Sequence, residues 1–305
     1  MPQKSKICAV VVTHNRKEKL DRCLQCILNQ HDSYCDIVVV DNDSSDGTNE
    51  MIKTQYESTR ISYYNTGKNL GSAGGFNFGI KVAVLLGYKY LWIMDDDVYP
   101  DSTALRELVK AGLSIKDNWG CLSSVSYWND GSICKPNRQK KGLFTFVSDI
   151  ELKKNRIIPV KIVSFSSMYV KTVAVHDVGL PIKDYFFYTD DYEFSERISE
   201  KYGVYVVTSS RVLHDISKNT KASIVSDPPE KMYRYNTLYR NDVAFYSRFG
   251  IKGICYLVLK TIYTLLNILL FEKKDKASKA VIVLKGIKEG IGFRPKIEMV
   301  DQAKR

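Results

Sequence analysis

The sequence predicts an α/β fold, a mixed and mostly parallel sheet flanked by helices, followed by a helical C-terminal region. Three observations predict it. Short valine-rich apolar runs alternate with amphipathic stretches of helical period from residue 7 to residue 113. The apolar runs end in polar loops rich in Asp, Asn or Gly, which gathers those loops on one edge of an open sheet. One run, Tyr90-Leu91-Trp92-Ile93-Met94, ends in three consecutive aspartates, Asp95 to Asp97.

Residues 7–12 form the first buried strand, and the polar turn Thr13-His14-Asn15-Arg16 leads into an amphipathic helix over 17–29. Residues 37–40 repeat the strand and end in the acidic loop 41–48, so two strands and a helix make a right-handed βαβ unit. A third strand, 61–64, leads to the glycine-rich run 69–79, after which a helix continues over 80–86. Glycines at a helix entry let backbone amides approach a phosphate or a sugar, and a tight packing turn uses the same residues. The fourth strand carries the aspartates, and a helix follows over 102–113. Between 120 and 175 the pattern shortens and alternates, at 121–127, 143–147 and 162–170, as a mixed or antiparallel extension of the sheet. The aromatic run Tyr185-Phe186-Phe187-Tyr188 then precedes Thr189-Asp190-Asp191-Tyr192-Glu193. A helix starts there, at Asp190 or Asp191, and Gly203 ends it. Residues 205–208 are another strand, with His214 shortly after.

A chain of 305 residues, 44% of them hydrophobic, buries a full core. Residues 1–245 are expected as one domain and 246–305 as a basic, amphipathic helical region. Seven cysteines, an odd number without dense spacing, favour a reducing cytosol. Cys23 and Cys26 make a C-x-x-C inside a helical pattern, without the second pair that structural zinc would need. The basic opening, residues 1–6, leads into too short an apolar run for a signal peptide, so a cytoplasmic location is expected.

The net charge of +11 is concentrated in the tail: from residue 251 onward 12 Lys and Arg face 5 Asp and Glu. The apolar run 251–271 is barely long enough to span a bilayer and carries Lys260 at its centre. That favours a helix lying in the membrane interface, with Lys273, Lys274, Lys276 and Lys279 near anionic lipid; packing on the core or on a second subunit, as a homo-oligomer, is the alternative. Nucleic-acid binding is disfavoured, because the charge sits beside this tail and not along an aromatic-studded surface.

Three adjacent carboxylates repel one another unless a metal or an electropositive ligand neutralises them. The expected chemistry is therefore metal-assisted, on a phosphorylated or nucleotide-linked substrate; a solvated acidic loop is the plainer alternative. On an extended strand end, Asp95 and Asp97 share a face and grip one cation, while Asp96 points elsewhere.

In order and spacing, Val10-Val11-Val12-Thr13-His14-Asn15-Arg16, the Asp41-Asn42 loop with Asp46-Gly47-Thr48, the run 69–79 and the triple aspartate together resemble glycosyltransferase family 2. The Thr189-Asp190-Asp191-Tyr192-Glu193 segment, Tyr233-Arg234-Tyr235-Asn236 and Arg240-Asn241 are similar to its bacterial galactofuranosyltransferase and rhamnosyltransferase branch. The resemblance covers residues 5–245 and fades in the tail. It implies a GT-A fold and inverting, metal-dependent transfer of a sugar, galactofuranose or rhamnose favoured, from a UDP- or dTDP-linked donor. The implied acceptor is a glycan or a polyprenyl-diphosphate-linked sugar, in bacterial cell-surface polysaccharide synthesis at the inner face of the plasma membrane.

The resemblance also implies roles. Thr13 and Arg16 lie beside the nucleotide, Asp41 bonds the base or caps the next turn, and Asn69 and Gly71 line the donor side. Asp96 touches the ribose or the donor. Asp95, Asp97 and His214 are the implied metal ligands, and an imidazole tilts the choice to Mn²⁺ over Mg²⁺. Asp191 is the implied base. Asp190 and Glu193 orient the acceptor, replace the base in another helix register, or cap the helix. Tyr188 and its aromatic neighbours stack on the acceptor sugar or belong to the core. A metal-dependent sugar-phosphate nucleotidyltransferase is the alternative, weakened because Thr13-His14-Asn15-Arg16 is not a glycine-rich phosphate loop.

Overall fold

The computed structural model describes residues 5–56, 60–116, 118–154 and 156–300; residues 1–4 of the basic opening lie outside them. Strands β1 (Ile7–Thr13), β2 (Asp36–Asp41), β3 (Ile61–Asn65) and β4 (Tyr90–Asp95) pair in parallel in the order β3-β2-β1-β4. The sheet continues through the later strands β5 (Val98–Pro100), β6 (Trp119–Tyr127), β7 (Ile157–Val160), β8 (Met168–Lys171) and β9 (Gly203–His214), in the order β4-β8-β6-β9-β5 with β7 also on β9. The pairs β4–β8 and β8–β6 are antiparallel and β6–β9 is parallel, which is the mixed extension expected beyond residue 120.

The central strands are apolar throughout because both faces are covered. Along β1, Val10 and Val12 point into one core layer and Ala9 and Val11 into the other. On the second side, α1 (Lys17–Leu28) presents Leu20, Leu24 and Ile27 at helical spacing, joined by Met51 and Ile52 of α2 (Thr48–Gln55) and by Leu105 and Leu108 of α4 (Ala104–Ser114). Each such fully buried side chain stabilises by about 1.5–3 kcal/mol. The first side is covered by α3 (Gly71–Leu85), the short α5 (Asp149–Leu152), α6 (Thr172–Val178) and α7 (Asp190–Ser199).

Three local expectations change. The glycine run is itself helical, α3 beginning at Gly71. A Cβ on Gly75 or Gly79 would come within 2.6 Å of Val12 or Val10 respectively, so these glycines let the helix lie close on β1. No strand forms over 143–147, where isolated bridges join Lys140 to Phe146 and to Ile162. Helix α7 ends at Ser199, Gly203 opens β9, and His214 is the last residue of that strand.

The C-terminal region is helical, as expected, and packs on the main body. Helices α8 (Tyr233–Ser247), α9 (Gly250–Phe271) and α10 (Lys276–Gly292) pack on one another around Tyr235, Tyr239, Ile268 and Val283. The expected boundary after residue 245 falls inside α8, whose Phe245 and Tyr246 pack with Ile162 of the main body. The segment after α10 returns to the sheet domain: Val300 enters its core, and Glu298 pairs with Lys81 and Lys183.

Candidate active site

Parallel register brings the candidate residues together at one sheet edge. Val12 lies opposite Asp95 and Thr13 opposite Asp41, so the C-terminal ends of β1, β2 and β4 coincide. Strand β4 stops at Asp95, and Asp96 and Asp97 form a turn into β5. That differs from the extended strand end expected for the three. Thr13 donates its hydroxyl to Asp96 at 2.7 Å, and Arg16 bridges Asp96 and Asp97 at 3.1 and 2.9 Å through one Nη1. Asp96 is thus held by the first-strand turn. Lys19 approaches Asp97 at 3.8 Å.

His214 arrives through the sheet, because β9 runs antiparallel to β5 with His214 opposite Val98. Its Nε2 lies 3.2 Å from Asp97 Oδ1, and its Nδ1 lies 2.6 Å from Asn137 Oδ1. Burial opposes a charge on this ring, but hydrogen bonds to Asp97 and Cys134 and the Asp97 charge outweigh it and push the pKa up to about 10. Burial pushes Asp95 up to about 7, with the Asp97 charge adding to the rise. Burial also raises Asp97, yet the His214 hydrogen bond and the charges of His214, Arg16 and Lys19 hold it below the ordinary carboxylate value.

These contacts test whether a divalent cation fits. Among the described residues no three His, Cys, Asp or Glu side chains form a preformed metal cage. The donor chemistry fits nonetheless. Asn137 Oδ1 accepts a hydrogen bond from the Nδ1–H and aims Nε2 at a carboxylate, the outer-shell arrangement that orients a ligating imidazole. Asp95 and Asp97 repel one another and face the same imidazole charge.

Next to Asp95 opens a cavity of about 470 Å³. Asp190 and Asp191, at the start of α7, line it together with Tyr188, Ser72, Lys140 and Lys260. Burial pushes Asp191 up to about 6, restrained by the Tyr192 amide, which donates to its Oδ1 at 2.7 Å, and by the Lys140 charge. Burial and the charges of Asp191 and Asp95 raise Asp190 much further.

Other candidates lie elsewhere. Glu193 is 0% exposed and points away from the cavity lining, into Arg197 at 2.8 and 2.9 Å and Arg248 at 2.5 Å. It is an internal counter-ion. Gly71, at φ +71°, turns its Cα to the Phe186 carbonyl, which a Cβ would meet at 2.2 Å, so it serves packing and not an open donor face. Asn69 Oδ1 accepts from the Gly71 amide at 2.8 Å and fixes that turn. Asp41, fully buried, accepts from the Ser44 amide at 2.8 Å and from the Tyr63 hydroxyl at 2.5 Å, which is the turn-capping option. Of the four aromatic residues only Tyr188 lines the cavity; Tyr185 is core, and Phe186 covers Gly71.

Sequence reasoning missed the residues that hold the loop before α7. Phe186, Tyr188 and Thr189 all have φ between 62° and 72°, a conformation that costs a non-glycine residue about 1–3 kcal/mol. Asn241 of α8 compensates: its Nδ2 donates to the carbonyls of Tyr185, Phe187 and Tyr188 at 2.9 to 3.0 Å. Arg240 donates to the Asp184 carbonyl at 2.7 Å. The only signal was the Arg240-Asn241 pair itself.

A family model, glycosyl transferase family 2, matches residues 8–168. Galactofuranosyltransferase GlfT1 of Mycolicibacterium smegmatis is 38% identical over 104 residues, which are 34% of this chain and 34% of that relative. The match thus spans about a third of the relative's length. Among solved structures, S. aureus TarS 1-349 in complex with UDP is similar over 95% of this chain and 72% of its own, at 14% identity and a TM-score of 0.54. The mannosyltransferase PcManGT of Pyrobaculum calidifontis, in complex with GDP-Man and Mn²⁺, is similar over 95% of this chain and 76% of its own, at 15% identity and a TM-score of 0.58. At these identities the structural likeness is one of fold, the GT-A fold.

Proposed function

The chain belongs to glycosyl transferase family 2, and from that premise we propose that it transfers a sugar, galactofuranose before rhamnose, from a nucleoside diphosphate donor to an acceptor hydroxyl with inversion at the anomeric carbon. The observation that carries the reading is one cavity lined both by Asp95 of the triple aspartate and by Asp191. A diphosphate at the first and a hydroxyl at the second suit in-line displacement.

Asp191, ionised above its pKa of about 6, accepts the acceptor proton. The new bond from the acceptor oxygen to the anomeric carbon forms as the bond to the diphosphate oxygen breaks, and the nucleoside diphosphate leaves with that electron pair. Asp95, Asp97 and His214 would hold a divalent cation, Mn²⁺ or Mg²⁺, which when bound neutralises charge on the departing diphosphate. Thr13 and Arg16 fix Asp96 beside the nucleotide, and the half-exposed Arg16 can exchange a carboxylate for a phosphate oxygen.

The acceptor is proposed to be lipid-linked and met at a membrane surface in cell-envelope polysaccharide synthesis. Helix α9 spans 22 residues and is long and apolar enough to cross a membrane by length and composition. One side of it is occupied, with Lys260 bonded to Asp242 of α8 at 2.7 Å. The other side exposes Leu259, Tyr263, Leu270 and Phe271, each by about two thirds. A helix packed on the protein on one side and apolar on the other suits a place in the membrane interface.

Because Asn241 holds the loop that presents Asp190 and Asp191, Asn241→Leu is expected to lower kcat about 100-fold, a typical cost of misplacing a reacting group by an ångström. Steady-state kinetics check it; an unchanged kcat would show that the loop holds itself. The reading as a whole is tested by incubating the full chain and Mn²⁺ with UDP-galactofuranose, UDP-galactose, UDP-glucose and dTDP-rhamnose, following nucleoside diphosphate release and thermal shift, with Asp97→Ala as control. A metal-dependent response to one donor, lost in the variant, supports it. Release of pyrophosphate in place of a nucleoside diphosphate would identify a nucleotidyltransferase.

A further inference from the structure

The same cavity carries a group of cations that sugar transfer at Asp191 leaves unused. Lys140 is only 6% exposed, yet among the described residues its ammonium makes no ion pair or hydrogen bond. It lies over the rings of Tyr192 at 4.4 Å and Phe146 at 5.2 Å. On Phe146 also sits the ammonium of Lys221, at 3.8 Å, likewise without a carboxylate partner among the described residues. Lys260 completes the group and is neutralised by Asp242. All three line the cavity with Asp191. Burying the Lys140 ammonium near Lys221 and Lys260, opposed only by the unbonded charges of Asp242 and Asp191, costs stability that an added anion would relieve.

A second cavity, about 520 Å³, adjoins the first through a shared wall residue, Tyr256. Phe144, Ile251, Cys255 and Leu259 line it, and its surface is almost wholly apolar. Tyr256 packs on Phe144 at 4.7 Å and on Tyr246 at 4.8 Å. The cavity that holds the three lysines and an apolar trough thus meet at one ring, on the part of α9 whose outer face is exposed.

We propose that Lys140, Lys221 and Lys260 bind the diphosphate that links the acceptor sugar to a hydrocarbon chain, and that the trough at Tyr256 takes the first part of that chain. The assignment rests on the transferase reading and names how its acceptor is held. Charge decides the class of anion. The two unpaired ammoniums match a diphosphate that joins sugar to chain, with one charge on each doubly substituted phosphate, better than the single charge of a linking phosphodiester or a fatty carboxylate. Placing the diphosphate at the lysines leaves the attached sugar beside Asp191.

The test is equilibrium binding to the full chain in EDTA, so that no cation retains a diphosphate at Asp97. The probes are farnesyl diphosphate, inorganic pyrophosphate and farnesol, applied to the wild type, to Lys140→Met and to Lys221→Glu, the last at an exposed position, with each variant's fold checked by thermal unfolding. Farnesyl diphosphate is expected to bind best, and each variant to weaken it about tenfold or more, as loss of a charge-assisted contact does. Equal affinity in wild type and both variants overturns the proposal. So does pyrophosphate binding as tightly as farnesyl diphosphate, because the site then reads a free anion and no lipid. UDP with Mn²⁺, followed by thermal shift, separates the two readings. If UDP fails to bind while farnesyl diphosphate binds through the lysines, the transferase reading falls and the anion site stands; the converse removes the lysine assignment alone.

Discussion

Asp191→Asn is expected to lower kcat by about a thousandfold, within the range that general-base catalysis contributes, while donor binding survives. The choice of this carboxylate over its neighbours follows from their surroundings. Glu193 is bound by two arginines, and Asp190 is driven toward its neutral form by burial and by the Asp191 and Asp95 charges. Of these three, Asp191, with a pKa of about 6, is the one that combines a place on the cavity wall with ionisation at neutral pH. In the wild type kcat/KM should therefore fall below about pH 6, and the variant should lose that limb. The sign of the stability effect follows as well. A folded pKa above the unfolded value of about 3.9 gives a contribution that is full below pH 3.9 and lost as pH rises through about 6. At pH 7.5 the ionised form is thus carried at a cost that the neutral amide removes, and the variant should melt no lower than the wild type. A variant that is both inactive and less stable would point to a structural role. Asp190→Asn is expected to retain most activity, and a loss as large as that of Asp191→Asn would move the base to Asp190.

The first four strands and α1 were legible because each satisfies a local rule: a short valine-rich run for a strand covered on both faces, and leucines three and four apart for a helix on one face. The carboxylate-rich loops were legible for the same reason, being strings of adjacent residues. What was not legible depends on partners far along the chain. Glycines argue against helix, yet in α3 they are what allows the helix to lie on Val10 and Val12, so packing overrides propensity. Lys140 reads as one more surface lysine until the Tyr192 and Phe146 rings close over it. Asn241 carries no local mark of the three carbonyls it supports more than fifty residues away.

Glu193 shows the same limit and carries the largest expected effect on stability. In sequence it is the last acid of a cluster and reads as an acceptor contact or a capping charge; in the structure it is the fully buried centre of an ion network. Arg197, itself buried, donates to both Glu193 oxygens and also to the carbonyls of Val178 and Leu180, while Arg248 reaches Glu193 Oε1 from the end of α8. The network ties α7, which carries Asp190 and Asp191, to α6 and to the C-terminal helices. Glu193→Ala leaves the Arg197 guanidinium buried without its counter-charge, a change that costs about 3–5 kcal/mol. For a domain of this size that corresponds to a fall in Tm of roughly 10 °C. The partly exposed Arg248 can turn to water or to Glu200, which it already meets at 3.2 Å, so the defect belongs chiefly to Arg197. Thermal unfolding decides between the roles. A large drop in Tm with acceptor KM unchanged at low temperature is the expected result. A normal Tm with a raised acceptor KM would return Glu193 to the acceptor site, and the walls of the cavity would then have to rearrange on binding to expose it.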